Sequence, residues 1–143
     1  MEVRKATSAD IRSLTRHLQN KHIPYNTVSM MKTDVYDGNL FILTNGSTIL
    51  ASCAIVPTDF PWLGVKRLVV YNKKSCGKGY AQTLLNAITT GPYTYCITPW
   101  KDNHAMRHIA EKAGFSFQYK FNDFWCCYLK KKGLTKPLPH DIM

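Results

Sequence analysis

Residues 65–88 constrain the fold more than any other part of the chain, since a strand, a glycine loop and a helix follow one another there. The strand is marked by Leu68, Val69 and Val70, an apolar and β-branched run that is typical of a strand covered on both faces. The helix is marked by apolar residues at helical spacing, which predict packing against the sheet. These residues are Tyr80, Leu84, Leu85 and Ile88.

The loop between them, residues 76–81, reads Cys-Gly-Lys-Gly-Tyr-Ala. Gly77 and Gly79 allow backbone N–H groups to converge where the helix begins. The start of a helix already carries unpaired N–H groups and the positive end of the helix dipole, so phosphate is the usual ligand of such a turn. Lys73, Lys74 and Lys78 add positive charge. An ordinary strand-to-helix turn also uses glycine, so the function depends on the rest of the chain.

Two named phosphate motifs are excluded at this loop. The P-loop pattern Gly-x-x-x-x-Gly-Lys-Ser/Thr is absent, and Gln82 occupies the position where the dinucleotide fingerprint requires its third glycine.

Length, charge and cysteine usage narrow the class of protein. A chain of 143 residues with a net charge of +10 is expected to be one domain with a polyanionic partner, such as a phosphorylated cofactor, a nucleic acid or an acidic protein. No apolar run approaches the roughly 20 residues of a membrane helix, and the first residues lack the apolar core of a signal peptide. The five cysteines include no C-x-x-C pair. We therefore expect a cytoplasmic protein with reduced thiols, no membrane partner and no metal site.

Periodicity and turn signals predict the element order β-α-α-β-β-β-α-β-α-β-β. Asn45-Gly46 is the strongest hairpin signal, and it joins two apolar strands. The sixth predicted strand carries Phe115, Phe117, Tyr119 and Phe121 in alternation, which predicts one core-facing row of aromatic side chains. Strands and helices mix without strict alternation, so we expect a mixed sheet with helices on both faces. The predicted strands are 3–6, 40–44, 48–56, 65–70, 93–98, 115–121 and 124–129, and the predicted helices are 7–19, 27–36, 80–88 and 103–113.

Two motifs in this order resemble those of the GNAT superfamily of acyl-CoA N-acyltransferases. Gly79-Tyr80-Ala81 matches the Gly-x-Gly/Ala half of the superfamily's pyrophosphate motif. The second motif, Asn-x-x-x-x-x-Leu/Ile-(Tyr)-x-Lys-x-Gly-Phe, is matched by Asn103, Ile109, Lys112, Gly114 and Phe115. The resemblance covers residues 1–130 as a single domain, followed by a basic, proline-containing tail at 131–143. It implies an α/β (α+β) fold with a mixed, largely antiparallel central sheet of about seven strands, flanked by helices on both faces.

The resemblance also implies an activity: an acetyl-CoA-dependent N-acetyltransferase in which a primary amine attacks the thioester directly. Acetyl-CoA is the implied co-substrate, and no metal is implied. Its pyrophosphate would lie on the N–H groups of residues 77–81, and its pantetheine arm would lie where the fourth and fifth strands splay apart. The cofactor-binding residues implied are Leu68, Val69, Val70, Lys74, Gly77, Lys78, Gly79, Tyr80, Ala81 and Asn103.

Two positions depart from the superfamily pattern. Cys76 stands where Gln or Arg is usual, and Ala110 stands where many members place the tyrosine that protonates the CoA thiolate. Tyr95, Tyr119 or water could serve as the proton donor instead. Asp34, Asp37 and Asp59 are the candidates for the general base, of which Asp59 lies in the loop before the fourth strand.

The acceptor is left open by the sequence: a small amine, a lysine, a protein N-terminus and a nucleotide amine are all compatible with it. A homodimer is also left open. The net charge and the run at residues 130–132 give one alternative, a GNAT-like enzyme that modifies a nucleic acid or a protein bound to one. The departures at Cys76 and Ala110 give another, a non-catalytic module that binds acyl-CoA or nucleic acid.

Overall fold

The computed structural model describes residues 1–71, 79–120 and 122–131, and its elements follow the predicted order. The strands are β1 (Glu2–Lys5), β2 (Leu40–Thr44), β3 (Ile49–Pro57), β4 (Leu63–Val70), β5 (Tyr95–Ile97), β6 (Ser116–Lys120) and β7 (Cys126–Lys130). The helices are α1 (Ile11–Asn20), α2 (Tyr25–Tyr36), α3 (Tyr80–Ile88) and α4 (His104–Lys112), and a 3-10 turn, Ser8–Asp10, precedes α1.

The strands form one sheet in the order β1-β2-β3-β4-β5-β7-β6. Every neighbouring pair is antiparallel except β4 and β5, which run parallel. This arrangement confirms the predicted mixed, largely antiparallel sheet of seven strands. Within the described chain, no helix has the length and apolar character needed to cross a membrane.

The helices cover the two faces of the sheet in pairs, as predicted. On one face, Leu14 and Leu18 of α1 and Met31 and Val35 of α2 pack on β2, β3 and β4, and we call this the α1–α2 cluster. On the other face, α3 and α4 pack on the sheet through a second group, which we call the α3–α4 cluster. Its buried residues include Leu84, Leu85, Ile88, Ala110, Ala113 and Phe115.

The carboxylate of Asp10 caps the start of the first helical segment. It accepts a hydrogen bond from the Thr7 N–H at 2.8 Å and two from the Arg4 guanidinium at 2.9 and 3.0 Å. The Arg4 hydrogen bonds are the main reason that the pKa of Asp10 is lowered to about 2. This pair joins β1 to the turn that begins the first helical layer.

The β2–β3 hairpin forms where predicted, with a longer turn than the Asn45-Gly46 signal indicates. Gly46 adopts the left-handed conformation (φ 102°), whereas Asn45 acts through its side chain, whose Oδ1 accepts a hydrogen bond from the Thr48 N–H at 2.8 Å. The turn therefore takes four residues, and β3 begins at Ile49.

The predicted row of core-facing aromatic residues in β6 is wrong. Phe115 is buried, but Phe117 and Tyr119 are 49% and 44% exposed. The register shifts between them, so that Phe117 lies opposite Tyr128 and Tyr119 lies opposite Cys127. Neighbouring residues of β7 point to opposite faces, so this bulge turns Tyr119 to the other face of the sheet. Phe121 lies outside the described residues.

Candidate active site

Strands β4 and β5 pair only at their beginnings, through Leu63 with Tyr95 and Gly64 with Cys96. Beyond Ile97 the chain reaches Pro99, which has no N–H to continue a ladder and whose carbonyl accepts a hydrogen bond from the Cys126 N–H at 3.0 Å. β4 runs on to Val70, and in the described structure no strand pairs with residues 65–70 on the β5 side. The sheet therefore has an opening edged by backbone N–H and C=O groups that need partners.

A cavity of about 550 Å³ occupies this opening on the side of α3 and α4. β4 contributes Val65 and Leu68 to its wall, while Asn103 and Met106 contribute the side of α4. Trp125 closes its rim. This volume is in the range of a small-molecule binding site.

A second cavity, of about 250 Å³, lies on the opposite face of the sheet. Asp59 and Trp62 reach it from the loop before β4, and Tyr119 reaches it from β6. Lys66 and Thr98 line both cavities, so the two cavities lie on either side of the same opening. We call them the first and the second cavity.

β4 contains a bulge beside the opening. Ser52 pairs with Val69 and Ala54 with Lys66, so both Arg67 and Leu68 lie opposite the single residue between Ser52 and Ala54. Arg67 has φ 53°, a left-handed conformation that is uncommon for a residue other than glycine. The extra residue disrupts the ladder, which frees backbone groups next to the first cavity.

An ion pair with α2 holds Arg67. Its Nε and Nη2 donate hydrogen bonds to the two carboxylate oxygens of Asp34, both at 2.8 Å, and Asp34 is only 5% exposed. Burial raises the pKa of Asp34, against the lowering effect of the hydrogen bonds from Arg67. Asp34 is thus engaged by a guanidinium, and it lines neither the first nor the second cavity.

The predicted catalytic residues separate into two groups. Asp59 and Tyr119 come together in the second cavity, and a hydrogen bond with the Cys127 thiol raises the pKa of Tyr119. Tyr95 lies at the closed end of the β4–β5 pair, where its hydroxyl accepts a hydrogen bond from the Gly91 N–H at 3.1 Å and burial raises its pKa. Tyr95 lines neither cavity, and neither does Asp37.

Three of the predicted cofactor-binding residues lie on β4. Leu68 lines the first cavity, and Val70 packs against the α3–α4 cluster on the same face. Val69 packs against the α1–α2 cluster, so only its backbone faces a ligand in the opening. Asn103 is the N-cap of α4: its Oδ1 accepts a hydrogen bond from the Met106 N–H at 3.1 Å, which leaves the side-chain amide N–H groups for a ligand.

The remaining predicted cofactor-binding residues surround the start of α3. Gly79 is its N-cap, with φ 77°, and no described atom lies within 4 Å of the position that a side-chain Cβ would take. Tyr80 packs on the α3–α4 cluster, and Ala81 follows in the first turn. Gln82 links α3 to α4 through a hydrogen bond from its Nε2 to the Ile109 carbonyl at 3.1 Å. Lys74, Cys76, Gly77 and Lys78 lie outside the described residues.

Ala110 is fully buried in the α3–α4 cluster, and it lines neither cavity. At the C-terminal end of α4, the second motif therefore contributes to packing and to the end of the helix. Gly114 ends α4 in the left-handed conformation (φ 97°), and Phe115 is buried beyond it.

Trp125, at the rim of the first cavity, belongs to an ordered group of three aromatic side chains. Trp100 stacks on Phe124 with ring centroids 5.2 Å apart, and it meets Trp125 edge to face at 5.4 Å. The Lys101 N–H donates to the Phe124 carbonyl at 2.7 Å, so backbone hydrogen bonds hold the two loops together. All three rings are exposed, between 38% and 50%.

No protein-family model and no curated protein matches the chain. Among solved structures, a GNAT-family acetyltransferase from Bacillus cereus is 16% identical and superposes with a TM-score of 0.77, over 92% of this chain and 96% of the other. A GNAT-family acetyltransferase from Streptococcus agalactiae is 17% identical, with a TM-score of 0.76 over 92% and 95% of the two chains. A variant of a spermidine N-acetyltransferase from Vibrio cholerae is 13% identical, with a TM-score of 0.69 over 93% and 96%. The chain has the GNAT fold, as the resemblance of its motifs implied.

Proposed function

We propose that the protein is an acetyl-CoA-dependent N-acetyltransferase that acts on a primary amine by direct attack. The observation that carries the proposal is the opening between β4 and β5, which has one cavity on each face and shares Lys66 and Thr98 between them. A reaction that joins two substrates across a sheet needs such an arrangement. The first cavity suits the acyl donor, and the second suits the amine.

The residues around the first cavity fit acetyl-CoA. The backbone groups of residues 65–70 offer hydrogen bonds to the amides of a pantetheine chain, and Leu68 and Met106 offer apolar contacts. The start of α3 offers N–H groups to a pyrophosphate, with open space beside Gly79. Gly77, Lys78 and Lys74 extend that cradle in the sequence.

Bound acetyl-CoA supplies a thioester carbonyl that a free amine attacks, with the CoA thiolate as the leaving group. The bulge at Arg67 would place a backbone N–H donor near that carbonyl oxygen, where negative charge develops. One such donor is typically worth about 10²- to 10³-fold in rate.

The residues of the second cavity would prepare the amine. Asp59 accepts the proton that the amine loses, and Lys66 disfavours the ammonium form of a neighbouring amine because like charges repel. Tyr119 and water are the proton sources for the thiolate on this side of the sheet. Tyr95 is the weaker candidate, since it lies at the closed end of the strand pair.

The nucleic-acid alternative receives less support. Lys130, the first residue of the basic run, is turned inward and donates a hydrogen bond to the Thr89 hydroxyl at 3.2 Å. Burial lowers its pKa. The non-catalytic alternative also places acyl-CoA in the first cavity, and it differs from our proposal only in that no acetyl group is transferred.

Binding and turnover are therefore tested separately. Acetyl-CoA at 100 times its dissociation constant should stabilise the fold by about 2.7 kcal/mol, which a thermal melt detects. Acetylated product is then sought by mass spectrometry with a panel of amines: a polyamine, an arylalkylamine, a lysine peptide, a peptide N-terminus and an aminated nucleotide. Stabilisation without any product would favour the binding module, and absence of both would refute the proposal.

The role of Asp59 has a matched control. Asp59→Asn should slow turnover by about 10²-fold or more, because the proton acceptor is lost. Asp37→Asn changes an exposed acid that lines neither cavity, so it should leave turnover unchanged. Equal rates in the two variants would remove Asp59 from the mechanism.

A further inference from the structure

The Asp34–Arg67 pair joins a buried carboxylate of α2 to a left-handed residue of β4. Both hydrogen bonds measure 2.8 Å, and Asp34 is held in a helix whose neighbours Met31 and Val35 are buried in the α1–α2 cluster. The carboxylate is thus a fixed point, and the guanidinium is bound to it at two atoms. Such two-point contacts define orientation as well as distance.

Stability alone does not account for this pair. Taking both charges out of water opposes folding, and a buried ion pair is often replaceable by apolar residues without loss of stability. The conformation of Arg67 adds a further cost, since a non-glycine residue at φ 53° is strained. Strain of this kind persists where surrounding contacts enforce it, and it is frequent at functional sites.

The position of Arg67 indicates why the contacts with Asp34 hold it in a left-handed conformation. Arg67 lies between Lys66 and Leu68, and all three residues line the first cavity. Opposite them, Cys53 is the single β3 residue that faces the bulge. The bulge frees backbone groups, and the dihedral angles of Arg67 set the direction in which these groups point. Asp34 of α2 binds the Arg67 side chain and so restricts those angles.

We propose that Asp34 is a positioning residue, which through Arg67 fixes the bulge so that a backbone N–H points at the carbonyl oxygen of the acetyl group. The inference rests on the proposed function, because it assumes acetyl-CoA in the first cavity. Asp34 itself touches neither substrate. Its effect is on how well the site distinguishes acetyl-CoA from CoA, which lacks that carbonyl.

The test is the ratio of the dissociation constants of CoA and acetyl-CoA, measured by calorimetry. Wild-type protein should prefer acetyl-CoA. Asp34→Asn should lower that preference by roughly five- to tenfold, the usual effect of one lost hydrogen bond, with little change in CoA affinity.

Asp10→Asn is the matched control. It breaks a second two-point pair, Arg4–Asp10, whose hydrogen bonds of 2.9 and 3.0 Å lie at β1, which β2 and β3 separate from β4. A merely structural role for Asp34 predicts that both variants lose stability and keep the ratio. The proposal predicts that only Asp34→Asn changes it.

Double variants keep the test available if Asp34→Asn does not fold. Asp34→Leu with Arg67→Gly removes the pair and lets glycine adopt the left-handed conformation freely, whereas Asp34→Leu with Arg67→Ala removes the pair and leaves the strain. The glycine variant should therefore retain more of the preference for acetyl-CoA than the alanine variant. Equal ratios in the two would contradict the proposal.

The outcomes separate the two proposals. If the wild-type chain binds neither ligand, the proposed function fails. If it prefers acetyl-CoA and Asp34→Asn keeps that preference, only the positioning role fails. If the wild-type protein bound CoA and acetyl-CoA with equal affinity, the positioning role would also be overturned, because no group would then favour the acetyl carbonyl by a hydrogen bond.

Discussion

Lys66 of β4 and Thr98, which follows β5, face each other across the opening of the sheet, and each lines the cavities on both faces. The two strands are paired only two residues before Lys66, at Gly64 and Cys96. A group that crosses from one cavity to the other must therefore pass these two side chains. The positive charge of Lys66 would therefore lie beside both substrates.

Lys66→Met should move the pH dependence of acetyl transfer to higher pH. The positive charge lowers the pKa of an amine bound beside it, so its removal leaves more of the amine protonated at a given pH. The expected result is a rate profile in which kcat/KM reaches half of its maximum at a higher pH than in the wild type.

Lys5→Met is the corresponding control. This variant also loses a positive charge, but Lys5 lies on β1, which β2 and β3 separate from β4, with its Nζ 5.8 Å from the Phe41 ring centroid. An identical shift in both variants would show that net charge is responsible and not the position of Lys66.

Gly79→Asp should weaken acetyl-CoA binding, with at least a tenfold rise in the dissociation constant measured by calorimetry. The carboxylate would enter the open space at the start of α3 and repel a pyrophosphate there.

Gly38→Asp is the control for Gly79→Asp, because it introduces the same backbone strain. Gly38 has φ 73° against 77° for Gly79, and at both positions no described atom lies within 4 Å of an added Cβ. Each variant should lose about 1 kcal/mol of stability, since both place a side chain in the left-handed conformation. If Gly79→Asp binds acetyl-CoA as tightly as Gly38→Asp does, the pyrophosphate lies elsewhere.

The fold followed from local signals that tertiary contacts do not override. The period of Leu84, Leu85 and Ile88 predicts the face of α3 that is buried, and Asn45-Gly46 places the hairpin. The start of α3 at Tyr80 was predictable for the same reason, since glycines precede a helical stripe. What sequence periodicity predicts well is each element and its buried side.

The site depended on relationships that no local signal contains. The bulges at Arg67 and between Phe117 and Tyr119 are changes of register between two strands, and each moves side chains to the other face. Asp59, in the loop before β4, and Tyr119, on β6, share a cavity only because the order of strands brings the two segments together. An arginine within the apolar run of β4 was the available signal for the Asp34 pair, and it identified neither the partner nor the conformation.

The Arg4–Asp10 pair predicts how stability depends on pH. Because the folded-state pKa of Asp10 is lowered to about 2, its ionised form stabilises the fold above the unfolded pKa near 4, and this contribution is lost as the pH falls towards 2. Asp10→Asn should therefore cost about 2 kcal/mol at pH 7 and close to nothing at pH 2. Urea denaturation of both proteins at the two pH values measures the difference. If the difference in free energy of unfolding between wild type and Asp10→Asn were the same at pH 7 and pH 2, the stabilising role of ionised Asp10 would be contradicted.

Ala110→Tyr introduces the tyrosine that the resemblance associates with protonation of the thiolate, and it should impair the protein instead of activating it. Ala110 is fully buried among the side chains of α3, α4 and the sheet, so the larger ring overpacks the core and should cost about 1–3 kcal/mol. Thermal melts and product formation would be measured on the same samples. Ala87→Tyr, on the exposed side of α3, should change stability by no more than about 0.5 kcal/mol. Faster turnover with unchanged stability in Ala110→Tyr would show instead that the helix can present a hydroxyl to the first cavity.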